Sequence, residues 1–201
     1  EISKLILNKK NLRIKHFQST GLPCGLMKKY IEQVETNYVV FSGDDDYFVK
    51  DGLKACPNFL ENNSDYIGCA GEGISVHSSK DKKKIDFILD YSQAKIEGET
   101  SKARLSQLFI KYKVPIFSIF RTVKYKLFLE PVPSSIDQKN ICPDKAIADE
   151  YILETAMVAY GNIQKLNNPY LVRHIHQERN IDNLVPDFKK DWINTSNYEK
   201  S

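Results

Sequence analysis

The stretch NYVVFSGDDD, residues 37–46, decides the fold because it joins a short apolar run to three consecutive carboxylates. A short, continuous run of β-branched and aromatic residues is typical of a strand buried on both faces of a mostly parallel sheet. Asp44, Asp45 and Asp46 would then follow the carboxyl end of that strand, where ligands bind in open α/β sheets. Like charges this close repel, so a bound cation would be needed to keep all three ionised.

The oxygen-rich triplet suits a hard divalent cation, Mn²⁺ or Mg²⁺. In an extended segment, Asp44 and Asp46 point to one side and Asp45 to the other. We therefore predict that Asp44 and Asp46 are metal ligands and that the ion neutralises charge on a departing diphosphate. The alternative is a solvated acidic turn or a helix N-terminal charge, and the apolar strand directly before the triplet counts against it.

Strands and helices alternate on both sides of this stretch, which predicts an α/β fold with a mostly parallel central sheet flanked by helices. The periodicity predicts strands at residues 12–17, 37–42, 65–76 and 116–120, and helices at 25–34, 100–113 and 144–160. A further helix is predicted after a short turn that follows Asp46, and it runs through Leu60. Two closing strands, 163–166 and 170–175, are predicted around an Asn167-Asn168-Pro169 turn. No repeat or linker divides the chain, so one domain is predicted over residues 1–176, followed by a polar C-terminal tail over 177–201.

The composition is that of an ordinary globular protein, with 41% hydrophobic and 27% charged residues among 201. The formal net charge of +3 is too small to indicate nucleic acid as a partner. No apolar run approaches the ~20 residues that a transmembrane segment needs. The four cysteines are widely spaced and form no Cys-x-x-Cys motif, which is typical of a reduced, cytoplasmic protein.

Two further groups carry chemistry. Asp149 and Glu150 lie about 100° apart on a predicted helix, so only one can face a given site, where it could act as general base for a hydroxyl. In Arg173-His174-Ile175-His176 the two histidines share a strand face, and Arg173 points the other way. The imidazoles could complete a metal site and the arginine could hold phosphate. For both groups a structural or solvent-exposed role remains the alternative.

These segments resemble family-two-like glycosyltransferases with a GT-A fold, the Rossmann-like nucleotide-sugar fold. Residues 38–48 resemble the strand and DxD motif of that family, and residues 51–53, 59–62 and 65–66 resemble the segment that follows it. A bacterial subgroup, the surface-polysaccharide-type glycosyltransferase domains, is similar in four later segments: 91–93, 104–105, 114–118 and 170–173. The resemblance covers roughly residues 12–176, and it implies that the predicted domain over residues 1–176 is a glycosyltransferase catalytic domain.

The resemblance implies transfer of a hexose-type sugar, with inversion, from a nucleoside-diphosphate donor to an acceptor hydroxyl on a carbohydrate or glycolipid. It implies a role in polysaccharide or glycoconjugate synthesis, in the cytoplasm or peripherally at the inner membrane face. Asp44 and Asp46 match the outer DxD positions that hold Mn²⁺ or Mg²⁺, and Asp45 stays a donor-binding candidate because the triplet leaves the register ambiguous by one. The catalytic base corresponds to Asp149 or Glu150, with Asp149 preferred because the shorter base is commoner in the family.

Three more expectations come with the resemblance. Arg173 is implied as a contact for the donor, and His176 or His174 as an additional metal or phosphate contact. The family's opening strand and its upstream acidic residue, which hold the donor's base and ribose, have no counterpart in the 43 residues before Asp44. Because the chain also begins with Glu1, we expect an N-terminally truncated domain that lacks its first strand–helix unit and shows weak or no transfer alone.

Two other functions fit parts of the sequence. Gly43-Asp44-Asp45 also resembles the strand–turn–strand motif of template-dependent RNA polymerases, which would make the chain a nucleotidyltransferase. That motif needs a tight hairpin and a second aspartate upstream, and residues 1–36 contain no aspartate. A non-catalytic, metal-stabilised binding domain is the other alternative, in which the triplet would hold an ion structurally.

Overall fold

The structure is a computed structural model that describes Lys15 and residues 23–79, 84–91, 93–132 and 143–175, with only the backbone described for 143–148. Of the predicted strand at 12–17 only Lys15 is described, and His176 and the tail over 177–201 lie outside these residues. The helices are α1 (Pro23–Tyr30), continued by a 3₁₀ turn (Ile31–Gln33), α2 (Lys50–Asn62), α3 (Ser101–Ile110), α4 (Thr122–Leu129) and α5 (Pro143–Tyr160). The strands are β1 (Tyr38–Val39), β2 (Asp46–Phe48), β3 (Tyr66–Ser78), β4 (Ile85–Asp90), β5 (Ile119–Arg121) and β6 (Asn162–Ile175).

The six strands form one mixed sheet in the order β1-β5-β3-β6-β2, with β4 paired to β3. Among the strands described, β3 and β6 are the one parallel pair, and all other pairs are antiparallel. The α/β class is confirmed, but the prediction of a mostly parallel sheet is wrong. The apolar run at 37–42 contributes only the two residues of β1, which pair with β5 at the edge of the sheet. The prediction that this strand is buried on both faces is also wrong, because Tyr38 and Val39 are only half-buried at the sheet edge. An apolar run that short does not specify its partners.

The end of the chain forms one long strand where two were predicted. β6 continues through Asn167-Asn168-Pro169, and its register against β3 passes from Ala70↔Lys165 to Glu72↔Pro169. The extra residues on β6 therefore make a bulge, where proline's missing N–H interrupts no ladder bond. Strand β4 was not predicted at all, and every one of its residues is exposed.

Two of the predicted helices, at 100–113 and 144–160, are confirmed. The predicted helix at 100–113 is α3, which ends earlier, at Ile110, and whose N-cap Thr100 accepts a hydrogen bond from the Ala103 N–H at 3.2 Å. The predicted helix at 144–160 is α5. Arg104 of α3 is buried and donates to the carbonyls of Val158 and Ala159 at 2.9 and 2.7 Å, which satisfies the last turn of α5. This anchor fixes the helix that carries Asp149 and Glu150.

The hydrophobic core fills the space between the β3–β6 pair and the helices. Its fully buried members come from α2, β3, α4, α5 and β6 and include Leu60, Cys69, Phe128, Met157 and Tyr170. In the part of the chain that is described, no helix is long and apolar enough to span a bilayer.

Candidate functional site

The three aspartates do not lie in one extended segment. Asp44 and Asp45 form a turn, and Asp46 is the first residue of β2. Asp44 is exposed, Asp45 is half-buried and Asp46 is buried. A Cβ atom on Gly43 would lie 2.9 Å from Asp46 Oδ2 and 3.0 Å from Asp45 Oδ1. Glycine at this position therefore lets two carboxylates approach the backbone of the turn more closely than any other residue would allow.

The turn excludes the polymerase-like hairpin. Gly43, Asp44 and Asp45 connect β1 to β2, and these two strands lie at opposite edges of the sheet. β2 pairs with β6, whereas the polymerase motif requires the strands on either side of the aspartates to pair with each other.

Asp46 forms a nearly buried ion pair with Arg173. The antiparallel register of β2 and β6 places the two residues opposite each other, and Arg173 Nε donates to Asp46 Oδ1 at 3.1 Å. Side-chain exposure is 1% for Asp46 and 16% for Arg173. Breaking one partner of such a pair leaves an uncompensated buried charge, which costs roughly 3–5 kcal/mol.

Two aromatic residues complete the surroundings of Arg173. Its Nη1 donates to the Tyr91 hydroxyl at 2.8 Å, and its guanidinium carbon lies 4.9 Å from the Tyr91 ring centre and 4.5 Å from that of Phe117. Burial alone would lower the pKa of Arg173, but Tyr91 and Asp46 together raise it above its ordinary value. Arg173 is therefore a fixed cation at this site.

The second carboxylate oxygen of Asp46 fits a cation. Asp46 Oδ2 is buried and has no hydrogen-bond partner among the described residues, an arrangement that is costly without a ligand. Mg²⁺ commonly takes one or two protein carboxylates and completes its shell with water and substrate phosphates. The described residues hold no cluster of three or more His, Cys, Asp or Glu side chains that could bind a metal on their own. The oxygens at residues 44–46 therefore suit an ion shared with a substrate.

His174 lies away from this cluster. The register of β6 puts it on the face that carries Val172 and Tyr47, opposite to Asp46 and Arg173. Its Nε2 is 2.9 Å from Ser78 Oγ. His176, the predicted metal ligand, lies outside the described residues, so its role stays a prediction.

One carboxylate of α5, Glu150, interacts electrostatically with the same cluster. Asp149 is only 3% exposed, whereas Glu150 is half-buried. Burial raises the pKa of Glu150, and the positive charge of Arg173 opposes that rise. The raised pKa of Tyr91 comes first from burial, with the charges of Asp46 and Glu150 among its smaller causes. The charges of Asp46 and Glu150, one from each acidic segment singled out in the sequence, therefore both act on Arg173 and Tyr91.

A further buried carboxylate, Glu154, lies one helical turn after Glu150. It is fully buried and accepts a hydrogen bond from the Tyr112 hydroxyl, and its Oε1 has no partner within the described part of the chain. Burial raises the pKa of Glu154 to about 8; the hydrogen bond from Tyr112 opposes this rise and the charge of Glu150 adds to it. Glu154 was not among the residues predicted from the sequence, although its i, i+4 spacing from Glu150 put both on one helix face. Tyr91 and Phe117 were likewise not predicted as partners of Arg173.

The Tyr91→Phe substitution is expected to lower the free energy of unfolding by about 2 kcal/mol, because it removes a buried hydrogen bond to a charged group and keeps the ring. Urea unfolding followed by circular dichroism measures the change. Tyr38→Phe is the matched control, since it removes an exposed hydrogen bond to Glu61. Equal losses in the two variants would contradict the inference that Tyr91 holds Arg173.

Comparisons with known proteins support the fold. No family model and no curated protein matches the sequence. Among solved structures, S. aureus TarS 1–349 matches with a TM-score of 0.52 at 18% identity, over 86% of this chain and 46% of that one. TarS 1–349 in complex with UDP-GlcNAc matches with a TM-score of 0.51 at 18% identity, over 90% of this chain and 47% of that one. The structure of TarS matches with a TM-score of 0.50 at 19% identity, over 87% of this chain and 28% of that one.

The chain spans less than half the length of each of these TarS chains. At such low identity the likeness establishes the fold alone. The protein therefore has a fold like that of TarS, a glycosyltransferase.

Proposed function

We propose that the protein is a glycosyltransferase that uses a nucleotide-sugar donor. The observation that carries the proposal is the cluster of Asp46, Arg173, Tyr91 and Glu150 on a fold like that of a glycosyltransferase. One of the similar structures contains UDP-GlcNAc, which makes this compound the first donor to test. The cluster combines an anionic oxygen without a partner, a fixed cation and a half-buried carboxylate, which together suit the transfer of a group from a diphosphate.

The donor diphosphate would bind at the acidic turn. Asp44, Asp45 and Asp46 would hold Mn²⁺ or Mg²⁺. When bound, such an ion would neutralise the negative charge on the departing diphosphate. Arg173 fixes the orientation of Asp46 and leaves Oδ2 free of protein hydrogen bonds among the described residues. The positive charge of Arg173 also favours an anionic donor close by.

The acceptor hydroxyl would lose its proton to a carboxylate of α5. Glu150 is the better placed of the two candidates, because it is only half-buried and its charge interacts with Arg173. Asp149, which the sequence favoured, is nearly inaccessible. The deprotonated oxygen would attack the anomeric carbon opposite the diphosphate, so the carbon–oxygen bond to the diphosphate breaks and the configuration inverts.

Calorimetric titration tests the donor site. The folded chain is expected to bind UDP and UDP-GlcNAc only with Mn²⁺ or Mg²⁺ present, and the Asp44→Asn, Asp46→Asn double variant is expected to bind at least about 100-fold more weakly. Asp51→Asn with Asp65→Asn is the matched control, because it removes two exposed carboxylates elsewhere. Circular dichroism verifies that each variant is folded.

Three outcomes separate the alternatives. Binding that needs no metal, or that survives the double substitution, would contradict the proposed donor site. Metal binding without any nucleotide affinity would favour the metal-stabilised binding domain. If the wild-type chain binds neither, repeating the titration with residues added upstream shows whether earlier residues complete the site.

A further inference from the structure

We propose that a stripe of side chains along strand β4 binds the acceptor, as an uncharged glycan of several sugar units. This β4 stripe consists of Phe87, Leu89 and Tyr91, the last of which directly follows the strand. Tyr91 contacts Arg173 of the candidate site, and the other two residues lead away from it. The inference rests on the proposed function for calling the ligand an acceptor, and on the sheet alone for where the ligand lies.

The sheet register places the β4 stripe on the same face as the candidate site. Ser75 of β3 pairs with Arg173 of β6 on one side and with Leu89 of β4 on the other. Residues paired across neighbouring strands point to the same face, so Leu89 lies two strands, or about 10 Å, from Arg173. The Tyr91 N–H donates to the Gly73 carbonyl at 2.9 Å, which continues the β3–β4 ladder. Tyr91 therefore stays in line with Leu89 and joins the stripe to the candidate site.

The outer end of the stripe is a fixed aromatic platform. The Phe87 ring stacks on the imidazole of His77, with the ring centres 4.2 Å apart and the planes 22° apart. His77 Nε2 lies 3.3 Å from Oγ of the buried Ser75, a contact that holds the imidazole in place. Phe87 and Leu89 are nevertheless 50% and 52% exposed. A platform that is ordered before the ligand arrives loses little conformational entropy on binding.

The chemistry of the stripe favours a sugar chain without charge. The C–H groups on the apolar face of a pyranose ring carry partial positive charge and pack on the negative face of an aromatic ring. The six residues of β4 include Asp86 and Asp90 and no Lys or Arg, so the strand repels a phosphate-rich ligand. Lys84, which precedes β4, lines a depression on the opposite face of the sheet together with His174.

The length of the stripe indicates the size of the ligand. Phe87 and Tyr91 are four residues apart, which in an extended strand corresponds to about 14 Å. One pyranose ring covers only part of that distance, so the stripe matches a chain of several units. At its inner end, Tyr91 contacts Arg173, whose charge also acts on Glu150, the proposed base. The reacting sugar would therefore lie at Tyr91, and the preceding units would lie along Leu89 and Phe87.

A second copy of the chain fits the stripe less well. Two half-exposed side chains, Phe87 and Leu89, offer on the order of 200 Å², below the ~800 Å² per partner of a stable interface. Pairing between the β4 edges of two copies is also disfavoured. The register of β4 against β3 shifts between His77 and Ser78, which leaves Asp86 as an extra residue. A bulge and a charge at this position blunt an edge strand against further pairing.

Titration with glycans in the absence of donor tests the proposal. The probes are the one-, two- and four-unit oligomers of glucose, galactose, mannose and N-acetylglucosamine, and ligand-observed NMR measures each dissociation constant. In at least one series the wild-type protein is expected to bind the four-unit oligomer about tenfold more tightly than the single sugar. The Phe87→Ser, Leu89→Ser variant is expected to lose this gain, and Phe87→Trp, which keeps an aromatic platform, to retain it. Ile88→Ser is the matched control, because Ile88 is 54% exposed on the opposite face of β4.

Several results would overturn the proposal. Affinity that is independent of glycan length in all four series contradicts it, and so does a gain that survives in the Phe87→Ser, Leu89→Ser variant. An equal loss in Ile88→Ser would assign the effect to β4 as a whole. Self-association that disappears in the Phe87→Ser, Leu89→Ser variant, without glycan binding by the wild type, would assign the stripe to a second copy. Circular dichroism of each variant verifies its fold.

Titration with UDP and Mn²⁺ separates this inference from the proposed function. Length-dependent glycan binding by a wild-type protein that binds no UDP would keep the glycan site and contradict the proposed transferase. UDP binding without length-dependent glycan binding would keep the donor site and contradict the role of the β4 stripe.

Discussion

The Glu150→Gln variant is expected to have a kcat for sugar transfer about 10²–10⁴-fold below that of the wild type, with little change in donor affinity. Glutamine keeps the size and hydrogen-bonding capacity of Glu150 but cannot accept the proton of the acceptor hydroxyl. Because burial raises the pKa of Glu150, the wild-type rate should rise with pH through a pKa above the ordinary value for glutamate. Release of UDP from UDP-GlcNAc in the presence of an acceptor measures the rate, and calorimetry measures the affinity.

Asp149→Asn and Glu99→Gln complete the comparison. Glu99 is an exposed carboxylate next to α3, and its substitution should leave kcat unchanged. A large loss in Asp149→Asn with a normal rate in Glu150→Gln would assign the base to Asp149, as the sequence suggested. Near-normal rates in both variants would show that the base lies outside this helix. Weaker donor binding in Glu150→Gln would instead make Glu150 part of the donor site.

The sequence predicted the elements whose signals are local. Helix α5 has the longest helical pattern in the chain, and α3 begins directly after Thr100, whose side chain caps its first turn. Strand direction depends on partners far along the chain, and strands of two or three residues carry no information about them. The bulge at residues 167–169 was taken for a turn, because Asn-Asn-Pro has the chemistry of a turn. The exposed strand β4 lacks the buried face on which strand prediction depends.

For the candidate site, the sequence identified residues but not their arrangement. Asp46, Arg173 and Glu150 each belonged to a segment chosen for its chemistry; the structure pairs Asp46 with Arg173, and the charge of Arg173 acts on Glu150. Asp46 and Arg173 are 127 residues apart, so only the pairing of β2 with β6 reveals their ion pair. The prediction that Asp44 and Asp46 point to the same side assumed an extended segment. Because Asp44 and Asp45 form a turn, strand alternation does not apply to them. The metal itself stays a prediction.

Between pH 4.5 and about 8 the free energy of unfolding of the wild type is expected to fall, and the Glu154→Gln substitution is expected to abolish this fall. Burial raises the pKa of Glu154 from 4.5 to about 8, so in this range the folded state keeps a proton that the unfolded state has released. The free energy of unfolding of the wild type therefore decreases as pH rises and levels off above about pH 8. At 1.36 kcal/mol per pH unit, this interval corresponds to at most about 5 kcal/mol. The variant should match the wild type near pH 4.5 and exceed it by several kcal/mol at pH 9, as measured by urea unfolding.

Glu130→Gln, at an exposed position, is the control and should leave the pH dependence unchanged. Parallel stability curves for the wild type and Glu154→Gln would mean that Glu154 is already ionised at neutral pH. The expected result has a consequence for the candidate site, because Glu150 lies one turn away and repulsion between two ionised carboxylates would raise the pKa of each. A neutral Glu154 bound by Tyr112 removes that repulsion, which favours the ionised form of Glu150 that the proposed base requires. The same pair of measurements therefore reports both the stability of α5 and the charge state of the proposed base.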